Sequence, residues 1–474
     1  MFAIFHGIFN RVLFCLVLLL TNHAFAAAQV AANEDGADKE GNCLAINQDY
    51  TGIEQRIADG RYRYARPVPE GQLPEFSYQD EAGFDLYLKY AAKLIEAGNP
   101  RAKRPCPVFT ETYSLLAAQN NWPGTPEVSR LVAPFELRQD KPGKAILLIH
   151  GLTDSPFMFH DLAHFYYQQG FTVRTLLLPG HGTAASDLLD VELGQWQQAA
   201  DYGISRMLTD FDQVYLGGFS TGGALILDYL LRQNAADDRI KGVFMWSPAS
   251  KAYSGLAWLA QYLDYLPMLD WLDLDADIDF AKYESFPYNA AAQVNRLMQH
   301  LAKTTPANKS KLKNIPLFVV ASEHDRTIDT RATLDIIGWW QQGDKAEPAT
   351  LMYFGDKQTA ADKLPPSVTL VVPECRKNQA CSHIADIAHT APVNAPDNPH
   401  YGLTALYRNC THYLSDPQRY RLCKTSGQVI LGEKTEENLN GELPLQRLTF
   451  NPYYRQMLDL MRQFMADTAS GIGK

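Results

Sequence analysis

VYLGGFSTGG, residues 214–223, is the stretch on which the reading of this 474-residue chain turns. Strand-forming residues run up to Ser220, which is enclosed in Gly218-Phe219-Ser220-Thr221-Gly222, and the apolar GALILDYLL follows with helical character. A GxSxG between a strand and a helix describes a sharp turn that lifts the serine above the sheet edge. Gly218 and Gly222 are needed there because strand and helix come too close for side chains. Thr221 opens the helix, so its backbone N–H is free to bind an oxyanion. A serine hydroxyl is a poor nucleophile at neutral pH. The turn therefore needs a base, and the base needs an orienting acid.

Outward from this turn, strand and helix patterns alternate. KAILLIH (144–150) is a continuous apolar run, as a strand covered on both faces should be. FMFHDLAHFYYQQG has helical spacing and stops at Gly170; FTVRTLLLP, a helical stretch over 194–209, QVYLGGF and a helix over 221–234 follow. IKGVFMWS, PLFVVAS and SVTLVVP supply further strands. Strands separated by helices predict right-handed crossovers and an α/β fold with a mostly parallel central sheet, helices on both faces. Between VFMWSPAS and PLFVVAS lie about seventy residues, more than an ordinary connection needs. They include YSGLAWLAQYLDYLPMLDWL and read as a helical cap over about 250–312, at the strand ends where ligands bind in such sheets. Residues 27–127 read as an N-terminal extension, flexible at first and then helical, before a main domain over 128–474.

Two loops after strands offer the missing partners. Asp325 follows PLFVVAS, with Glu323 and Asp329 as competing carboxylates. CSHIADIAHTAP, after the last strand, holds His389 and its competitor His383. The order Ser220, Asp325, His389 is that of a Ser-Asp-His triad in an α/β sheet protein. Two other patterns carry less. HDLAH sets His160 and His164 four apart on a helix, but Asp161 stands where a zinc site uses glutamate and no third ligand is evident. DLDADIDFAKYE spaces Asp273, Asp275, Asp277 and Asp279 before Glu284 like a calcium loop, yet Ile278 occupies the position of the turn glycine. It reads as a solvated acidic edge. No metal or organic cofactor is expected.

The segments ILLIHGLTDSP, LLLPGHGT, GGFSTGG, PLFVVASEHDRTID and IAHTAPVNAPDNPHYG together resemble the α/β-hydrolase superfamily. The resemblance is to its serine carboxylesterase and monoacylglycerol-lipase-like branch, which also holds serine aminopeptidase-type hydrolases. It implies a carboxylic ester hydrolase acting through an acyl-enzyme on a small-molecule or lipid-like ester. By the same resemblance His150-Gly151 opens the oxyanion loop, Leu152 N–H joins Thr221 N–H as the second donor, and His389 is the base. One departure is that 64 positions separate Asp325 from His389, longer than usual; an insertion within 341–365 and the 375–381 loop account for it. The alternatives are an acyltransferase using the same triad, or a non-catalytic binding protein on the same fold.

Composition narrows the setting. A net charge of −10 leaves no basic stripe for nucleic acid and argues against docking on anionic lipid. Arg11, the short apolar run VLFCLVLLL and the A-x-A at Ala24 and Ala26 read as a secretory signal cleaved after Ala26, with Ala28 or an uncleaved anchor as the alternatives. The expected location is periplasmic or secreted, with no stable membrane insertion after cleavage. Removing Cys15 with the signal leaves six cysteines, an even set suited to an oxidising compartment. Of the fifteen connectivities, sequence proximity favours Cys375–Cys381 and Cys410–Cys423, with Cys43 and Cys106 remaining.

Overall fold

The strand Lys144–Ile149 divides its side chains between two cores, following the alternation of the pleat. Ala145, Leu147 and Ile149 enter one apolar cluster, Ile146 and Leu148 the other. In this computed structural model, residues 41–45, 53–141, 143–255, 270–342, 346–375 and 380–470 are described. The signal segment (1–26) and most of the leucine-rich stretch within the expected cap (256–269) lie outside them.

Eight strands form the central sheet: β1 (Glu136–Leu137), β2 (Lys144–Ile149), β3 (Phe171–Leu176), β4 (Gln213–Phe219), β5 (Ile240–Trp246), β6 (Leu317–Ser322), β7 (Ala349–Phe354) and β8 (Val368–Val371). Their order is β1-β3-β2-β4-β5-β6-β7-β8, all parallel except the edge strand β1. The helices α1 (Phe84–Gly98), α2 (Leu193–Asp210), α3 (Thr221–Arg232), α4 (Tyr288–Asn308) and α5 (Thr330–Trp340) contribute to the first cluster. The second takes residues from His160–Gln168 and from the last helix, α6 (Tyr454–Ser470). The α/β fold with helices on both faces is thus present. Tyr87 and Ile95 of α1 sit fully buried in the same cluster as the sheet, and α4 packs on α3.

Three features depart from the sequence expectations. The stretch 341–365 is no simple insertion: its ATLMYF run is β7, paired in register with β6 and β8. The long interval between Asp325 and His389 therefore contains two sheet strands. Second, 390–453 forms an unforeseen excursion between β8 and α6, with Ile430–Gly432 paired to Leu445–Arg447 and a Cys410–Cys423 disulfide. Cys375–Cys381 and Cys43–Cys106 are also bonded.

Third, the acidic edge is solvated only at its start, where Asp273 is exposed. Asp275, Asp277 and Asp279 are buried. Arg63 and Arg101 of the N-terminal extension donate to the Asp275, Asp277 and Asp279 carbonyls, and Asp277 accepts from Glu284 N, Ser285 N and Ser285 Oγ. Charge density had suggested solvent, but arginines more than a hundred residues away close over the segment.

Candidate active site

Register assembles the site before any side chain is considered. Ile149 lies beside Gly218 and Phe219 beside Trp246, so β2, β4 and β5 end together. A β-carbon on Gly222 would run into the Ile149 carbonyl, and one on Gly218 into the Gly222–Gly223 backbone. Only glycine permits this approach. Ser220 itself takes φ 48° and ψ −113°, a conformation costly for a side chain and tolerated where the surroundings over-determine it. Its N–H donates to Trp246 O at 3.0 Å, which fixes the turn.

The three sequence-predicted residues converge. His389 Nε2 stands 3.1 Å from Ser220 Oγ, and His389 Nδ1 stands 2.6 Å from Asp325 Oδ2. All three side chains are buried, and Phe219 packs its ring against the imidazole at 5.2 Å between centroids. Asp325 Oδ1 accepts the N–H groups of Thr327 at 2.7 Å and Ile328 at 2.8 Å, so the carboxylate cannot rotate away. This arrangement requires the His389 tautomer with the proton on Nδ1.

The competitors are occupied elsewhere. Glu323 accepts from Asp356 N, and Asp329 caps α5 while pairing with Lys251 and Arg331. His383 lines an outer cavity. His160 is buried against Thr110 Oγ1, whereas His164 is tied to Gln168 on the exposed side of its helix. Among the described residues, no group of three or more His, Cys, Asp or Glu is placed to hold a metal, and no helix is long and apolar enough to cross a membrane.

The loop after β2 is held by two neutral histidines. Burial, with neighbouring His181 adding to it, keeps the His150 imidazole well below its ordinary value; burial pushes His181 down to about 4. His150 Nε2 accepts Leu178 N–H at 3.1 Å and His181 Nε2 accepts Thr153 N–H at 3.0 Å. Thr153 N–H is thereby engaged. The N–H groups of Leu152 and Thr221 have no acceptor among the described residues.

Sequence reasoning missed a brace behind the histidine. Glu433, buried in the C-terminal excursion, accepts His389 N–H at 3.0 Å and both Nε and Nη2 of Arg447 at 2.7 Å. Arg447 also reaches Thr327 Oγ1 at 2.8 Å, beside the acid loop. Burial alone would raise the Glu433 carboxyl; Arg447 and the His389 and Lys434 N–H groups bring it down to about 2. In the sequence, Glu433 lies in the charged run GEKTEEN, which gives no sign of burial.

Comparison with known proteins agrees with this architecture. Residues 146–375 match the model of the alpha/beta hydrolase family. A thermostable monoacylglycerol lipase from Bacillus sp. (strain H-257) is 30% identical over 197 residues, covering 39% of this chain and 71% of that protein. Among solved structures, metagenome-derived lipolytic enzymes (LipS and LipT) align at 18% identity and TM-score 0.39 over 47% of this chain and 86% of theirs. The monoacylglycerol lipase of Paleococcus ferrophilus aligns at 16% identity and TM-score 0.34, over 50% and 86%. Identity over most of the Bacillus lipase, together with the family match across β2 to β8, settles the assignment: this chain belongs to the alpha/beta hydrolase family.

Proposed function

We propose that this hydrolase cleaves carboxylic esters with Ser220 as nucleophile, His389 as general base and Asp325 as the orienting acid. The observation that carries the reading is the unbroken relay Asp325–His389–Ser220, at 2.6 and 3.1 Å. His389 Nε2 takes the Ser220 proton as Oγ attacks the ester carbonyl. Asp325 stabilises the imidazolium, with its own position fixed by two backbone donors. The tetrahedral oxyanion is received by the Leu152 and Thr221 N–H groups; losing one such donor costs about 10²–10³ in rate. His389 then protonates the leaving alcohol and activates water, which releases the acid and restores Ser220. Likeness to a monoacylglycerol lipase supports an ester as substrate.

The three disulfides support an exported protein, since such bonds persist in oxidising compartments. A fluorophosphonate probe tests the function directly. The wild type is expected to label and Ser220→Ala not to; labelling of both, or of neither, would refute the assignment.

A further inference from the structure

One residue from the nucleophile in the chain, Phe219 joins Thr390, the neighbour of His389, in lining a small, partly open cavity of about 20 Å³. Its volume admits one water-sized group and not an alkyl chain. Its chemistry is polar. Asp154 and Asn394 line it, 7% and 4% exposed, and each carries a buried oxygen, Oδ2 and Oδ1 respectively, with no hydrogen-bond partner among the described residues. Asn394 Nδ2 donates to Thr449 O, which fixes the amide so that its oxygen is the atom left over. A buried acceptor without a donor is costly, so two of them on residues around one small cavity call for a donor from outside the chain.

The donor's charge can be read as well. Asp154 Oδ1 already pairs with Lys282 Nζ at 3.2 Å, and Lys282 lines the same cavity. A second cation would meet it at close range. A neutral O–H fits: it gives its proton to Asp154 or Asn394 and accepts from Lys282. Tyr407, Asn409 and Thr449 then form a wall shared with an outer cavity of about 650 Å³, large enough for a sugar ring. Thr404, Arg408, Ser426, Gln428 and Gln446 give that space a polar lining as well.

Resting on the serine-hydrolase reading above, we propose that Asp154, Asn394 and Lys282 form a hydroxyl-binding subsite, and that the preferred substrate is the ester of a sugar-like polyol. Hydrolysis breaks the acyl–oxygen bond, places the water oxygen on the released acid, and returns the proton to the sugar hydroxyl. Long hydrocarbon acyl chains are not what this subsite is built for.

The test compares four esters on the full, disulfide-bonded chain: methyl 6-O-butyryl-glucoside, monobutyryl glycerol, p-nitrophenyl butyrate and p-nitrophenyl palmitate, with fluorophosphonate labelling in parallel. The butyryl glucoside is expected to exceed monobutyryl glycerol in kcat/KM. The glucoside-to-p-nitrophenyl butyrate ratio should fall about tenfold or more in Asp154→Ala and Asn394→Ala. Lys282→Met, changed at a partly exposed side chain, should lower the same ratio and keeps the test readable if a buried variant does not fold. Preference for the palmitate or the glycerol ester, or a ratio unmoved in every folded variant, overturns the subsite while Ser220-dependent labelling upholds the hydrolase. Absence of labelling removes the reading on which the subsite stands.

Discussion

His389 with Asp325 and His400 with Asp279 are two buried histidine–carboxylate pairs of nearly equal length, 2.6 and 2.8 Å. They differ in what surrounds them. The first has an outlet: the far imidazole nitrogen faces Ser220 Oγ. The second is closed. His400 is packed among Phe157, Phe280, Tyr401 and Tyr407, and Asp279 spends its other oxygen on the Tyr401 hydroxyl. Burial would raise the Asp279 carboxyl, but His400, Tyr401 and Ala281 N–H hold it below its ordinary value. The same dyad thus stands, on the proposed reading, as a proton relay in one place and as a lock in the other. The lock has a position worth holding: it fixes 279–283, where Ala281 O and Tyr283 N bond the loop after β2 through Ser155 Oγ and Thr153 O.

The comparison breaks most visibly by substitution. Ser220→Ala and His389→Ala are each expected to lower kcat for p-nitrophenyl butyrate by about 10⁴-fold or more, and Ser220→Ala does so with little change in melting temperature. His400→Gln should do the opposite, destabilising by about 3–5 kcal/mol through the stranded Asp279 carboxylate while the folded fraction stays active. Thermal melts beside active-site titration separate the two. If His400→Gln abolishes turnover in a fully folded protein, the lock and the relay are not distinct.

Much of the relay was legible in the sequence and little of the lock was. GFSTG after an apolar strand is a local pattern, and its geometry follows from the chain's own sterics at Gly218 and Gly222. Asp325 was legible because it follows a strand directly, and His389 because chain order and family likeness pointed to it. β7 was missed because ATLMYF, though buried on both faces, holds a single β-branched residue and stands between polar stretches that read as an insertion. The acids at 275–284 were misread because a run of charges predicts solvent unless its partners are known. Here the partners are Arg63, Arg101, His400 and Tyr407, all distant in sequence. Glu433 failed for the same reason.

Glu433 sharpens the comparison next. Glu433→Ala leaves Arg447 buried without its partner and His389 N–H without its acceptor. The expected loss is about 3–5 kcal/mol of stability. Glu433→Gln retains an acceptor for His389 and should lower kcat more than it raises KM, by about tenfold. The carboxyl titrates at about 2 in the folded chain, below its ordinary 4.5, so its stabilisation is full above pH 4.5 and is lost as pH falls through 2. Urea melts from pH 5 to 2 should show a steeper loss in the wild type than in Glu433→Gln, which keeps only the part due to other depressed carboxylates such as Asp279. Equal slopes in both would remove Glu433 from its role.

A smaller effect is expected at Cys410–Cys423, which closes a loop of 13 positions beside the strand pair that Glu433 follows and Arg447 ends. Replacing both cysteines by serine should destabilise by about 2–4 kcal/mol and slow fluorophosphonate labelling through the looser brace. Replacement of Cys43 and Cys106, far from His389 in the chain, should cost stability with less change in labelling per folded molecule. Labelling rates that respond equally to the two losses would argue against a special tie between the excursion and the histidine.

The smallest effect concerns a carboxylate that supports the lock from behind. Asp161 accepts Ala395 N at 2.7 Å and Asn398 Nδ2 at 2.8 Å, while Asn398 Oδ1 accepts the N–H groups of His400 and Tyr401. Unlike Asp325 it has no histidine, and burial pushes its carboxyl from 3.8 up to about 6. A folded value above the unfolded one means that its contribution is fullest below pH 3.8 and is lost as pH rises through 6. Between those limits the wild type should give up about 1–3 kcal/mol from this group. Asp161→Asn keeps an oxygen that can accept both bonds and carries no charge, so it should flatten the pH 4–6 slope and match or exceed the wild type at pH 7.5. Denaturant melts across that range decide the point, because a variant weaker than wild type at pH 7.5 with the slope intact would show that the charge is needed there and that the lock depends on it.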